Sequence, residues 1–114
     1  MKIVKMLLVV LLVIPSVSFA TGIYGTILIQ EGESQRPADN VSIALIRSIN
    51  IPPDKGMIYN GSYTLFTGSS GDYIIRIYYK GSYIYSEQFW IPESSRQINW
   101  VVKRQDDKYI IERN

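Results

Sequence analysis

Tyrosines, and the cations interleaved with them, are the side chains in this sequence best equipped for chemistry. Nine tyrosines and two tryptophans occur in 114 residues. Over Asp72–Tyr79 the residues alternate, so Tyr73, Ile75, Ile77 and Tyr79 share one face of a strand while Arg76, Tyr78 and Lys80 share the other. Gly81-Ser82 then turns the chain and carries Tyr83 and Tyr85 beside that second set. Rings flanked by cations stack on sugar rings or grip an extended peptide. Arg76, Tyr78, Lys80, Tyr83 and Tyr85 are therefore the candidate binding residues. The expected partner is another envelope or extracellular protein, engaged through an edge strand or through this tyrosine-rich face, with a glycan as the alternative. The plainer reading, which the pattern favours on its own, is that these rings shield a thin core and pair across strands. Each such pair contributes roughly 0.2–1 kcal/mol.

Catalysis is the weakest expectation. The chain has no histidine and no cysteine, which removes the Ser-His and Cys-His nucleophiles and the imidazole base. Adjacent carboxylates occur as Asp106-Asp107, and Glu31 stands near Glu33, but neighbours on polar turns are ordinarily just solvated. Zinc would want histidine or cysteine. Asp39, Asn40, Asp54, Asn60 and Asp72 lack the spacing of a calcium loop and suit Asx turns instead. Gly68-Ser69-Ser70-Gly71 is followed by neither a lysine nor a helical pattern, so it reads as a hairpin turn and not a phosphate cradle. The expectation is a non-enzyme with no metal and no cofactor.

The elements that must position these residues follow a leader. Lys2 and Lys5 form a short basic stretch, Met6–Ile14 is unbroken apolar, and Ser18-Phe19-Ala20 supplies small residues at a cleavage site. This is the layout of a secretory signal peptide over residues 1–20, cut after Ala20. The expectation is a chain secreted to the periplasm or the exterior, with no membrane span after cleavage. Removal leaves 94 residues (114 less the first 20), room for a single domain over residues 21–114. It also removes two of twelve basic residues, so ten cations face ten anions. That balance argues against nucleic acid, which demands a basic surplus. Without cysteine the core must hold unaided by disulfides.

No stretch after the leader holds a helical period. Gly22–Gln30 and Val41–Ile46 alternate, the latter placing Val41, Ile43 and Leu45 together. Glu31–Asp39 reads as a polar connection, and Ile51–Gly56, with its double proline, as an extended solvated loop. Tyr63–Phe66, Asp72–Tyr79, Tyr83–Trp90 and Ile98–Val102 read as further strands, and the charged turn after Lys103 returns Tyr109–Glu112 as an extra edge strand. Seven to eight short strands rich in β-branched and aromatic residues predict an all-β antiparallel sandwich.

Three segments carry a family resemblance: Gly25-Thr26-Ile27, then Pro37–Leu45 (PADNVSIAL), then the paired stretches Asn60–Leu65 (NGSYTL) and Gly71–Ile77 (GDYIIRI). Together they resemble carboxypeptidase regulatory-like domains, in which a proline precedes an alternating strand and two glycine-x-tyrosine strands follow. The resemblance spans residues 22–103. It implies a transthyretin-like (prealbumin-like) Greek-key sandwich, usually a non-catalytic accessory or binding module of exported proteins. The double-proline segment is longer than the family's minimal loop, and the domain stands alone instead of being joined to an enzyme or receptor.

Overall fold

The computed structural model describes residues 21–48 and 50–114. The expected signal segment, residues 1–20 with its cleavage at Ala20, lies outside the described residues. These residues form an all-β fold of two sheets. The first is built around the long strand β1 (Gly22–Glu31), with β2 (Ser34–Pro37), β5 (Ser62–Phe66), β9 (Arg96–Gln97), β10 (Trp100–Gln105) and β11 (Lys108–Arg113). The second orders β4 (Asp54–Ile58), β3 (Val41–Ile46), β6 (Gly71–Tyr79) and β7 (Ser82–Tyr85), with β8 (Phe89–Ile91) also paired to β6.

Alternation decides which side chains enter the space between the sheets. Ile23, Ile27 and Ile29 from β1 are buried against Ile43 and Leu45 from β3 and Ile75 and Ile77 from β6, in one hydrophobic cluster. Tyr73 and Tyr79 join that cluster, as the two-residue period of β6 requires. β11 pairs along β10 from Gln105↔Lys108 to Trp100↔Arg113, so the expected extra strand forms and runs one residue further at each end.

Several expectations are corrected. Glu31–Asp39 is more than a connection: Gly32-Glu33 is a tight turn, and Ser34–Pro37 pairs back along β1 as an exposed edge strand. Ile51–Gly56 is a loop only up to its prolines, because Asp54, Lys55 and Gly56 pair with β3 at the outer edge of the second sheet. Prolines exclude themselves from a ladder but leave the next residues free to enter one. Gly68–Gly71 is no hairpin. The strand before it, β5, pairs with β1, and the strand after it, β6, lies in the other sheet, so the segment crosses between layers. Tyr73 holds that crossing in place, its hydroxyl donating to the Ser69 carbonyl at 2.6 Å. Nor is the pairing wholly antiparallel, since β10 and β9 both run parallel to β1. Period-two alternation reports faces, and is blind to strand direction.

Eleven strand segments are present among the described residues, against seven or eight expected. β2, β4 and β9 are additions, and one expected strand is split into β7 and β8. The interruption of Tyr83–Trp90 matters most. Arg76 pairs with Tyr85 and Tyr73 with Phe89, four steps on one strand opposite three on the other. That extra residue is a β-bulge. Ser86 fills the gap: its N–H donates to the Ile75 carbonyl and its Oγ accepts from the Ile75 N–H, both at 2.9 Å.

Candidate functional site

The outward face of the second sheet collects Tyr78, Tyr83, Tyr85 and Trp90, while Tyr24 and Phe66 are exposed on the first sheet. Tyr78 sits opposite Tyr83 and Arg76 opposite Tyr85 across the β6–β7 ladder, so the four share one face. The hairpin that enforces this register turns through Lys80 and Gly81, both at positive φ (50° and 81°), the pattern of a tight two-residue turn matched to strand twist. Tyr78 and Tyr83 meet edge to face, centroids 5.1 Å apart and planes at 65°. The Arg76 guanidinium lies 4.5 Å above the Tyr83 ring, a cation–π contact that holds a flexible side chain flat.

Lys80, the fifth candidate, does not belong to this face. Its place in the turn swings its ammonium to the end of the sandwich, where Nζ lies 3.0 Å from Glu31 Oε1 and donates to the Tyr109 hydroxyl at 3.3 Å. The Tyr79 hydroxyl also donates to Glu31, at 2.6 Å, and accepts from Arg36 at 3.1 Å. This cluster ties β1 and β2 of one sheet to β6 of the other. The Tyr79 and Lys80 hydrogen bonds hold the Glu31 carboxyl below its ordinary value of 4.5. The bond to Glu31, then that to Tyr109, raises the Lys80 ammonium. Burial, then the bond to Glu31, raises the Tyr79 phenol. It is a latch between layers.

A second aromatic group is wholly interior. The Tyr63 hydroxyl donates to the Ile98 carbonyl at 2.6 Å and accepts from Trp100 Nε1 at 2.9 Å. Burial pushes the Tyr63 phenol far above its usual range. Trp100 packs edge to face on Phe89, centroids 5.3 Å apart. Gly25 makes room beside this group: at φ 155°, a Cβ there would stand 2.3 Å from the Ile98 carbonyl oxygen.

The bulge at Ser86 adds a residue that alternation alone puts on the wrong side. In an unbroken strand Trp90 would face opposite to Tyr83 and Tyr85. The one-residue shift instead buries Phe89 and sets Trp90 outward, 53% exposed. Met57, from the unanticipated strand β4, completes the patch beside Tyr78 and Tyr83. The signal for the bulge was faint: Ser86-Glu87-Gln88 is a polar break inside an otherwise apolar and aromatic run.

Between β4 and β7 this face holds a shallow groove of about 390 Å³ bordered by Ala44, Lys55, Met57, Arg76, Tyr78 and Tyr83. A larger groove of about 620 Å³ opens between the edges of β7 and β11 over Trp100. Lys103 and Glu112 pair across the β10–β11 ladder next to it. Among the described residues no three or more His, Cys, Asp or Glu gather into a metal site, and no helix is long and apolar enough to cross a membrane. Comparison with known proteins finds no family that matches the chain and no curated protein similar to it.

Proposed function

We propose that this chain is an exported, non-catalytic binding module that engages a protein partner through the outward face of its second sheet. In this reading it is a Greek-key sandwich of the carboxypeptidase regulatory-like, transthyretin-like class. The two-sheet packing and the positive-φ turns at Asn60-Gly61 and Lys80-Gly81 support that class. The leader over residues 1–20 supports export. The absence of histidine and cysteine supports a role without chemistry.

One observation carries the choice of face. Tyr78, Tyr83, Tyr85 and Trp90 are each about half exposed, at 48%, 56%, 53% and 53%, on one side of one sheet. Single exposed apolar residues are ordinary, whereas a clustered set of large rings marks an interaction surface. The free strand edges are a poorer candidate. β11 carries Lys108, Glu112 and Arg113, all exposed, which discourages strand addition. A sugar is also less suited than a peptide, because Arg76 occupies a face of the Tyr83 ring and the Tyr78 ring meets Tyr83 at a steep angle. No flat platform remains on that pair.

The test is capture from the native envelope by the protein released from cells expressing the full chain. One stoichiometric protein should be retained, and should be lost with Tyr78→Ala plus Tyr83→Ala. Capture that survives this double substitution would sink the proposal. Saturable binding on a glycan array, abolished by Tyr78→Ala, would replace it with the carbohydrate reading.

A further inference from the structure

We infer that the cross-strand row Lys55–Ala44–Arg76 is an anion subsite, taking a carboxylate side chain of the protein segment that lies along this face. The inference rests on the binding face proposed above and names the chemistry of its partner. Ala44 pairs with Lys55 on one side and with Arg76 on the other. The three thus stand abreast on three strands, with about 4.8 Å between neighbours. Two long cationic side chains flank a single methyl group. Ala44 is 4% exposed and forms the floor of the groove, so no bulky side chain stands between the two cationic residues in this row.

The charges in this row have one sign. Among the described residues, Lys55 and Arg76 are the only charged ones bordering the groove. Elsewhere in the molecule Glu31 balances Lys80 and Arg36, and Glu112 balances Lys103. Among the described residues, neither Lys55 nor Arg76 takes part in an ion pair. Arg76 is also preorganised. Its flat face rests on Tyr83, while its N–H edge, the part that grips a carboxylate two-pronged, donates to no side chain or carbonyl among the described residues. Stacking restricts a side chain that would otherwise lose rotamer freedom on binding.

The other half of the groove is apolar. Met57, Tyr78 and Tyr83 border it opposite the cations. Met adapts to irregular side-chain shapes, and the ring edges suit an aromatic or branched aliphatic neighbour. The ligand is therefore an acidic residue adjacent to a large apolar one.

The test is an amide-resolved NMR titration of the protein released from cells expressing the full chain. The probes are Ac-Tyr-Glu-Phe-NH2 and its uncharged counterpart Ac-Tyr-Gln-Phe-NH2, with glucuronate as a third arm. The Glu peptide should shift the amides of Ala44, Lys55 and Arg76 and bind about three- to tenfold more tightly than the Gln peptide, the range two exposed ion pairs supply. That preference should disappear in Lys55→Gln plus Arg76→Gln. Equal affinity for the two peptides, or a preference that survives the double substitution, would overturn the inference. If the shared shifts still centre on Tyr78 and Tyr83, the binding face itself stands. Tighter binding of glucuronate than of the Glu peptide at these amides would overturn the assignment to a protein side chain. Absence of binding by either peptide also overturns the subsite, whereas the face is judged separately by partner capture with the tyrosine variants.

Discussion

The Tyr63–Trp100 pair inside the sandwich and the Tyr78–Tyr83 pair on its outer face are built from similar rings in similar edge-to-face company, yet their polar ends meet opposite fates. Inside, every polar atom has an internal partner: Trp100 Nε1 donates to Tyr63, and Tyr63 donates to Ile98. A buried hydroxyl or indole N–H left unpaired costs roughly 1–3 kcal/mol, so that chain of bonds is a condition of burial. Outside, the two rings sit about half exposed with Arg76 laid over one of them. Neither ring belongs to the buried cluster, and neither hydroxyl bonds a protein group among the described residues. The difference teaches that an aromatic holds the fold where the protein completes its hydrogen bonds, and stays available to a partner where it does not.

Substitutions can break this comparison at several strengths. The largest effect is expected from Trp100→Ala, which empties a fully packed site against Phe89 and removes the donor to the Tyr63 hydroxyl; the loss is about 3–5 kcal/mol by urea unfolding. A loss below about 1 kcal/mol would mean that the Trp100 site does not hold the fold together. Tyr63→Phe keeps the ring and removes the hydroxyl, orphaning the Trp100 N–H and one bond to Ile98. It should cost about 2 kcal/mol, readable as a melting temperature lower by about 8–16 °C for a domain of this size. The outer pair should respond differently. Tyr78→Ala or Tyr83→Ala should change stability by no more than about 1 kcal/mol, the worth of a cross-strand pair, while abolishing partner capture. A loss as large as that of Tyr63→Phe would make the outer face structural.

The smallest effect concerns the latch at the sandwich end. Because folding lowers the Glu31 pKa beneath its ordinary 4.5, the folded state binds its proton less readily than the unfolded chain does. Its contribution to stability is therefore present above pH 4.5 and is lost as pH falls through the lower folded value. Glu31→Gln should flatten the acid limb of a stability–pH profile and leave the rest little changed. An acid limb identical to that of the parent would show that the latch does not act in solution.

Much of this architecture was legible in the chain. Alternation over Asp72–Tyr79 assigned Tyr73, Ile75, Ile77 and Tyr79 to the core and Arg76 and Tyr78 to the opposite face, because a strand has no other way to place successive side chains. The turn read at Gly81-Ser82 made Tyr83 and Tyr85 their neighbours, and it forms one residue earlier, at Lys80-Gly81, with Ser82 already paired to Tyr79. Local geometry suffices for both.

Other features were decided by contacts between residues far apart. The all-β class, the alternating faces and the absence of any imidazole or thiol chemistry belong to the sequence by itself, being matters of residue type and period. The parallel pairing of β1 with β10, the recruitment of Lys55 and Met57 onto the outward face of the second sheet, and the outward turn of Trp90 came only with tertiary structure. Each depends on which strand lies alongside which. A bulge is defined by its partner strand, and Ser86 is an insertion only relative to Ile75. Lys80 shows the same limit: alternation put it on the face of Arg76 and Tyr78, whereas it lies in the turn at positive φ with its ammonium on Glu31 from a distant strand.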